Sequence, residues 1–556
     1  MNFQDNKSYW GVVTLLVLIA LALALGAGLG NSPTMDEPYH LMAAASYVRE
    51  GVYDLNPEHP PLAKLLAGVG MAGLDLRVSQ RPPVERLPFL FEEVRVFLYE
   101  NRAPEQAILR AGRLPFLFVF AALILLTAAW GRELGGPWGG LAAAGFVALL
   151  PLFLGHAMVV HTDLPAALTF TAVFFAFFRA LERPGWFVGF SVLLGLALAS
   201  KFSALYLLPF TAVLLLMEML RRRRLLVREA LLWAGAAAGA FAVLAAVYMV
   251  PLRNMDAAAQ RTALRGHLGK VRVDEGAIRA VERLAEVSRP LAHYAAGVMY
   301  VQKINGTGQG INYFLGENRV KGFPLYFPAA FGMKTPLWFL LLLGFALCCG
   351  RWGFNDWRLM TPVLLYFAVS FGTAYNIGVR HLSPVFPLLA LFIAGRLRNF
   401  RPAPLVAGAF LAGALGSALW AYPQFMSDFN LLFARQPERF LADSNLDWGQ
   451  DWDRAAAFAR RRGWGERPVV VVYHGTARPE RGFSRGVLWD EAAAYPPEAV
   501  YAVSVHTLLT GPDFLAVYGY REESARLRAL LGRLRGGGFR EIPCTRAVRF
   551  FVPEVR

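Results

Sequence analysis

Apolar residues in this chain come in long unbroken runs, unlike the alternation of a half-buried strand or the narrow stripe of a soluble amphipathic helix. Runs of membrane-crossing length recur at roughly 10–30, 113–131, 138–157, 164–180, 186–200, 202–220, 229–251, 336–350, 360–376, 383–396 and 403–422. They predict about eleven helices, several of them short. Helices are expected because a backbone in hydrocarbon must satisfy its own hydrogen bonds. The first run is too long for a cleavable signal peptide, and no small-residue cleavage site follows convincingly before Pro33, so it is expected to stay as a span. With 56% hydrophobic and 17% charged residues, the chain reads as a polytopic integral membrane protein.

Three stretches break the pattern. A long loop at about 31–112 contains Asp36-Glu37 directly behind the first run. It then carries His59-Pro-Pro-Leu-Ala-Lys64, where the prolines open a helix expected to lie on the membrane surface with Lys64 on its polar side. A second loop at about 252–335 has a charged, helix-prone part at 254–288 and a Gly/Asn-rich part at 305–317. The tail after Tyr422 opens on Asp443-Ser-Asn-Leu-Asp447-Trp448-Gly-Gln450-Asp451. It continues with a helix near 452–462, β-like runs at 468–473 and 499–505, and a last helix at 521–534. That alternation predicts a small α/β domain. The expected division is a transmembrane part at 1–422 and an extracytoplasmic α/β domain at 423–556.

Positive charge orients the helices, since Arg and Lys in short loops mark the cytoplasmic side. With Lys7 inside, one threading puts Arg132, Arg179 and Arg183, Arg221 to Arg224 with Arg228, Arg351 and Arg358, and Arg396, Arg398 and Arg401 on that side. The long loops and the tail then fall outside, which requires an odd number of spans. Much of the formal charge of +16 is therefore cytoplasmic Arg serving insertion and anionic-lipid contact, so nucleic acid is not an expected partner. Lysine is rare at seven residues, and Lys64, Lys201, Lys270, Lys303, Lys321 and Lys334 all fall on the outer side. A compact ammonium there suits a phosphate. Cys348 and Cys349 lie in an apolar run and Cys544 stands alone in the tail, so no disulfide framework is expected.

Chemistry is expected where polar groups meet helix mouths on the outer face. Asp36 and Glu37 follow the first span, and a carboxylate pair there is expensive unless it has a task. His156, His161 and Asp163 end the third, Lys201 interrupts the apolar stretch from 186 to 220, and Arg380-His381 open a later helix. Taken singly, Lys201 could mark a turn, His156 could pack between helices and Arg380 could snorkel to headgroups. Sharing one face, they fit a site for a phosphorylated, lipid-linked substrate.

These residues carry a resemblance. Asp36-Glu37-Pro38, His59-Pro-Pro-Leu-Ala-Lys64, His161-Thr-Asp163-Leu-Pro, Ser200-Lys201-Phe202, Lys334-Thr-Pro336, Gly378-Val-Arg380-His381-Leu-Ser-Pro-Val-Phe-Pro387 and Asp443-Ser-Asn-Leu-Asp447-Trp-Gly-Gln450 resemble the motifs of GT-C class membrane glycosyltransferases. The nearest likeness is to bacterial relatives of the dolichyl-phosphate-mannose protein mannosyltransferases (family 39). The lipid A aminoarabinose transferase is a more distant one. The resemblance runs to about residue 510.

It implies an all-α transmembrane bundle of GT-C type that moves a sugar from a polyprenyl-phosphate donor to a protein, lipid or glycan acceptor outside the cytoplasmic membrane. Asp36 would be the general base. Lys201 and Arg380, backed by Lys64 and Lys334, would meet the charge of the lipid phosphate. Glu37 and Asp163 could orient the acceptor or hold a divalent cation, and His59, His161 and His381 would line the substrate site. Metal dependence varies in this class, so Mg2+ or Mn2+ is left open and no other cofactor is implied. The competing readings are a secondary transporter or lipid flippase, for which no matching pair of broken helices is evident, and a non-catalytic assembly protein of the same fold.

The charge pattern makes a direct prediction about topology. A reporter fused behind Arg556 should be extracytoplasmic and one placed within Arg221 to Arg224 cytoplasmic. The same side for both would overturn the odd span count and the charge assignment together.

Overall fold

Residues 6–78, 85–87, 90–223, 225–308, 310–348, 350–398, 403–476, 478, 482–492 and 495–554 are described by the computed structural model. Arg224, Cys349 and Arg401 lie outside the described residues. Each of the eleven apolar runs falls on a helix. Among the described residues, six helices are long and apolar enough to cross a membrane: Asn6–Leu29, Glu105–Leu149, Asp163–Glu182, Phe202–Arg222, Val227–Leu252 and Ala403–Ala421. A seventh span arises if Tyr326–Lys334 and Leu337–Cys348, bent by 114°, are taken together.

That count is one of length and composition. Trp186–Ser200 and Val385–Leu397 have 15 and 13 residues; at 1.5 Å per residue both fall short of a hydrocarbon core of about 30 Å. The runs at 113–131 and 138–157 lie on either side of a break within Glu105–Leu149, at Gly136 (φ 69°, ψ −172°) just before Pro137, so they are two helical segments. At the bend after Lys334, Pro336 cannot continue the hydrogen-bond ladder. Asn430 takes over part of that task, its Nδ2 donating to the carbonyls of Gly332 and Thr335 at 2.6 and 3.0 Å.

The core of the bundle lies where Val385–Leu397 packs along Glu105–Leu149. Nearly every residue of the shorter helix is buried. A Cβ on Gly135 would sit 1.9 Å from the Ala394 carbonyl oxygen, so only glycine lets the two backbones approach. At the basic end, the buried Glu218 carboxylate gathers Arg221, Arg222 and Arg358. That part of the arginine cluster closes an ion-pair network.

Outside the spans, Ala257–Lys270, Glu275–Val287 and Arg289–Thr307 form a helical layer around Leu264, Leu268, Ile278, Val281, Ala292 and Ala296. The tail builds a five-stranded mixed sheet in the order Gly486–Leu488, Val469–Val472, Val500–Ser504, Val548–Pro553, Phe539–Pro543. The first three strands are parallel, and the last two are antiparallel to their neighbours. Helices Trp452–Arg461, Val505–Val517 and Arg521–Arg535 accompany it.

The first outer loop corrects one expectation. Helix Leu62–Gly70 forms, but Lys64 is fully buried on it. Its Nζ donates to the carbonyls of Asn56 and His59 at 2.6 and 2.9 Å, so the ammonium faces inward to hold the preceding loop. Glu37 likewise turns into the protein. Its carboxylate is fully buried in a two-pronged pair with Arg113 (Nε–Oε1 2.8 Å, Nη2–Oε2 2.6 Å) and accepts the backbone N–H of Val160 and Thr34. Arg113 spends its other donors on the carbonyls of Gly28, Asn31 and Ser32. One buried ion pair therefore pins the turn that carries Asp36 to the helix Glu105–Leu149.

Removing one partner of a buried pair leaves the other charge uncompensated, which costs about 3–5 kcal/mol. Arg113→Leu should therefore lower the unfolding temperature in detergent sharply, and by more than Glu37→Gln, because it also strips three carbonyls of their donor. A wild-type melting curve for Arg113→Leu would show that the pair does not hold the turn.

Candidate functional site

Asp36 lies between the end of the first span and the helix Glu37–Ala45, where the chain must turn. Its side chain does not cap that helix and keeps 45% of its surface accessible. The surrounding protein still removes enough water to raise its pKa to about 6. Asp443 and Glu58 push in the same direction, while Arg380 and the Trp448 side chain oppose them. A carboxyl that titrates near neutrality and remains accessible is suited to accept a proton.

Behind it sits Asp163, buried at the start of its helix. One oxygen, Oδ1, pairs with Lys201 Nζ. The other, Oδ2, takes Arg380 Nη1 at 3.1 Å. Lys201 occupies an extended break (φ −157°, ψ 140°) between Trp186–Ser200 and the 3-10 turn Phe202–Tyr206, so the interruption seen in the sequence is both a turn and a charge delivered into the bundle. Arg380 stands on the 3-10 turn Val379–Leu382. Its Nε donates to Ser444 Oγ at 2.9 Å, its guanidinium carbon lies 4.0 Å from the centre of the Trp448 ring, and its Nη2 is 3.9 Å from Asp36 Oδ2. Gly378 makes room for this contact, since a Cβ there would sit 2.2 Å from Ser444 Oγ.

His161 is part of the same cluster. Its Nδ1 lies 3.0 Å from the Asp163 backbone nitrogen and 3.1 Å from Asp163 Oδ2, and its Nε2 lies 3.2 Å from the His156 carbonyl oxygen. His59 reaches the group from the first loop and packs on the buried His40 with ring centres 5.2 Å apart. Burial first, then the Lys64 and Lys201 charges, hold the His59 pKa well below its usual value. His381 is depressed for the same kind of reason, burial with Lys201 and Arg380, and its Nε2 is buried without a partner.

The predicted residues thus divide. Asp36, Asp163, Lys201, Arg380, His161, His59 and His381 come together. Glu37 does not join them, being closed in its pair with Arg113. Lys64 is occupied by two carbonyls, and burial, opposed by Glu58, lowers its pKa to about 7. Lys334 donates to the carbonyls of Met426 and Asn445 at 2.8 and 2.5 Å, stitching its helix to the tail. Lys270, Lys303 and Lys321 are exposed elsewhere. The sequence reading assigned no role to Trp448, Ser444 or Arg113. The first two were visible in a quoted motif, and the third as a lone charge opening an apolar run.

Metal binding does not fit these side chains as they stand. Both Asp163 oxygens face cations, Glu37 is taken by Arg113, and no group of three or more His, Cys, Asp or Glu is poised around an ion among the described residues. What the cluster offers is a pair of cations of which Asp163 neutralises one charge, beside one accessible carboxylate. An anion can be met by the surplus positive charge while a proton is taken by Asp36.

Comparison with known proteins agrees with the motifs. Residues 107–249 match the family of dolichyl-phosphate-mannose-protein mannosyltransferases. No curated protein sequence matches the chain. Among solved structures, ArnT from Cupriavidus metallidurans in the apo state is 12% identical over 98% of both chains, with a TM-score of 0.34. The oligosaccharyltransferase of Archaeoglobus fulgidus, in complex with zinc and sulfate, is 13% identical over 74% of this chain and 52% of its own, with a TM-score of 0.37. The S. cerevisiae protein O-mannosyltransferase Pmt1-Pmt2 complex bound to the sugar donor is 18% identical over 47% and 34%, with a TM-score of 0.27. At these identities and scores the structural likenesses are distant. The segment 107–249 is thus similar to the dolichyl-phosphate-mannose-protein mannosyltransferases, the family that the motifs resemble.

Proposed function

We propose that this protein is a multi-pass glycosyltransferase of the cytoplasmic membrane that moves a sugar from a polyprenyl-phosphate donor to an acceptor on the outer side. The observation that carries this reading is the juxtaposition of Asp36 and Arg380, 3.9 Å apart, with Arg380 and Lys201 both tied to Asp163. A base and an anion site side by side are what transfer from a lipid phosphate demands.

In the reaction, the acceptor hydroxyl oxygen bonds to the anomeric carbon as the bond from that carbon to the phosphate oxygen breaks. The electron pair of the broken bond stays on the lipid phosphate, whose growing charge Lys201 and Arg380 meet. The hydroxyl proton passes to Asp36. One base and no second nucleophile imply a single displacement with inversion. Asp163 acts as a positioning residue that keeps two cations together at this spot. His59 and His381, held neutral by burial and the neighbouring cations, can offer ring nitrogens to sugar hydroxyls without adding charge, and His161 stands beside them. No step is drawn through a metal.

Asp36→Asn removes the base at constant size, so turnover with a mannosyl-phosphoryl polyprenol donor should fall by about 10²-fold or more, while binding of undecaprenyl phosphate persists. Retention of over half the wild-type rate would end the mechanism.

The raised pKa of Asp36 gives a pH dependence. The carboxyl is protonated below about 6 and cannot act as base, so kcat/KM should drop tenfold per unit below that point and level off above it. An acidic limb at the ordinary carboxylate pKa would contradict this assignment.

Lys201→Gln and Arg380→Gln each leave Asp163 one cation, so the fold should stand. Undecaprenyl phosphate should bind at least about tenfold more weakly to either, since a phosphate in a low-dielectric site loses a partner. Unchanged affinity in both would make the pair purely structural.

A further inference from the structure

The tail segment Asp443–Gln450 lies beyond the last span yet runs through the site. Trp448 is 3% exposed, and its ring underlies the Arg380 guanidinium at 4.0 Å. Its carbonyl accepts the N–H of Met35, the residue before Asp36, at 2.8 Å, and its side chain stands beside the Asp36 carboxylate, where it favours the ionised form. Ser444 takes Arg380 Nε, and Asn445 Oδ1 takes the N–H of Val379 at 2.9 Å. Gln450 locks the segment, since its Oε1 accepts the Trp448 N–H at 2.7 Å and its backbone carbonyl accepts the Ser32 N–H at 3.0 Å. At the other end, Asp447 Oδ2 accepts the N–H of His506, tying the segment to the helix that follows the strand Val500–Ser504.

We infer that Trp448 is a positioning residue for Asp36 and Arg380 together, and that the segment Asp443–Gln450 completes the site from the far side of the membrane-spanning part. The same side chain has two chemically separable parts. The π face holds the cation, at a distance where a desolvated cation–π contact is strong. The indole N–H holds the ionised form of the base. Base and cation are thereby kept at a fixed spacing although they come from segments more than 300 residues apart in the chain. The groups that face Asp36 are Arg380, Asp443, Glu58 and Tyr375 besides Trp448. The inference rests on the proposed roles of Asp36 as base and Arg380 as phosphate ligand.

The test uses the full-length protein in detergent and undecaprenyl phosphate as probe, with affinity measured across pH 4.5–8. Asp36→Asn keeps the titration of the lipid phosphate and of the other groups around the site, so its difference from wild type isolates Asp36. In wild type, protonation of Asp36 removes a negative charge beside the phosphate, and binding should tighten severalfold below about pH 6. Trp448→Phe keeps a ring under Arg380 and loses the N–H. Its affinity at pH 8 should stay within about twofold of wild type, while the Asp36 midpoint moves upward by about half a unit or more. Trp448→Leu loses both parts, so affinity at pH 8 should also fall about tenfold.

An unmoved midpoint in Trp448→Phe, or a wild-type affinity in a folded Trp448→Leu, overturns the inference and leaves the glycosyltransferase reading intact. No difference between wild type and Asp36→Asn at any pH overturns instead the placement of Asp36 beside the phosphate.

Discussion

Two positive charges of the candidate site, Lys201 and Arg380, are each less than about a tenth exposed, and the structure depends on what Asp163 does between them. In a medium of low dielectric such charges repel strongly unless an anion bridges them. Asp163 gives one oxygen to each. Its own backbone is fixed in turn, its N–H to His161 Nδ1 and its carbonyl to Ser383 Oγ at 3.0 Å. The helix mouths at 163, 201 and 380 therefore meet at one carboxylate. The surplus positive charge is left next to Asp36, which is the condition that lets a base and an anion site coexist.

The rest of the outer face is organised to keep that geometry. Arg113 and Glu37 fasten the turn bearing Asp36 to the long helix Glu105–Leu149. Lys64 holds the loop that brings in His59. Lys334 and Asn430 fasten the bent helices to the tail and to the bend itself. These charged and amide groups use all or most of their donors on backbone carbonyls or a single partner. They hold the elements around the site in place. Burying ionisable groups in this way is tolerable because each is paired or hydrogen-bonded.

The tail is consequently more than an addition behind the last span. Its sheet packs a core of its own around Val469, Val471, Val500, Ala502 and Phe550, yet Ser444 and Trp448 reach into the membrane-facing cluster. A division of the chain at residue 422 follows the hydropathy, whereas the chemistry crosses it.

The sequence by itself determined the membrane class, the helical nature of the eleven apolar runs and the resemblance carried by the motifs, because hydrocarbon tolerates few alternatives to a self-satisfied helix. It also singled out Asp36, Asp163, Lys201 and Arg380, which the structure brings together, since charges at helix mouths are costly. It did not separate charges that face a substrate from charges that face the protein. Glu37 and Lys64 share motifs with Asp36 and His59 but point the other way. Which side a side chain takes depends on partners such as Arg113 and the Asn56 carbonyl, distant in sequence or belonging to the backbone. The course of the helices was decided at the tertiary level too, where Gly136 breaks Glu105–Leu149 and Pro336 sits at the 114° bend between Tyr326–Lys334 and Leu337–Cys348. Tertiary structure decided these points because pairing energy in a buried site depends on distance and orientation, which spacing along a chain does not encode.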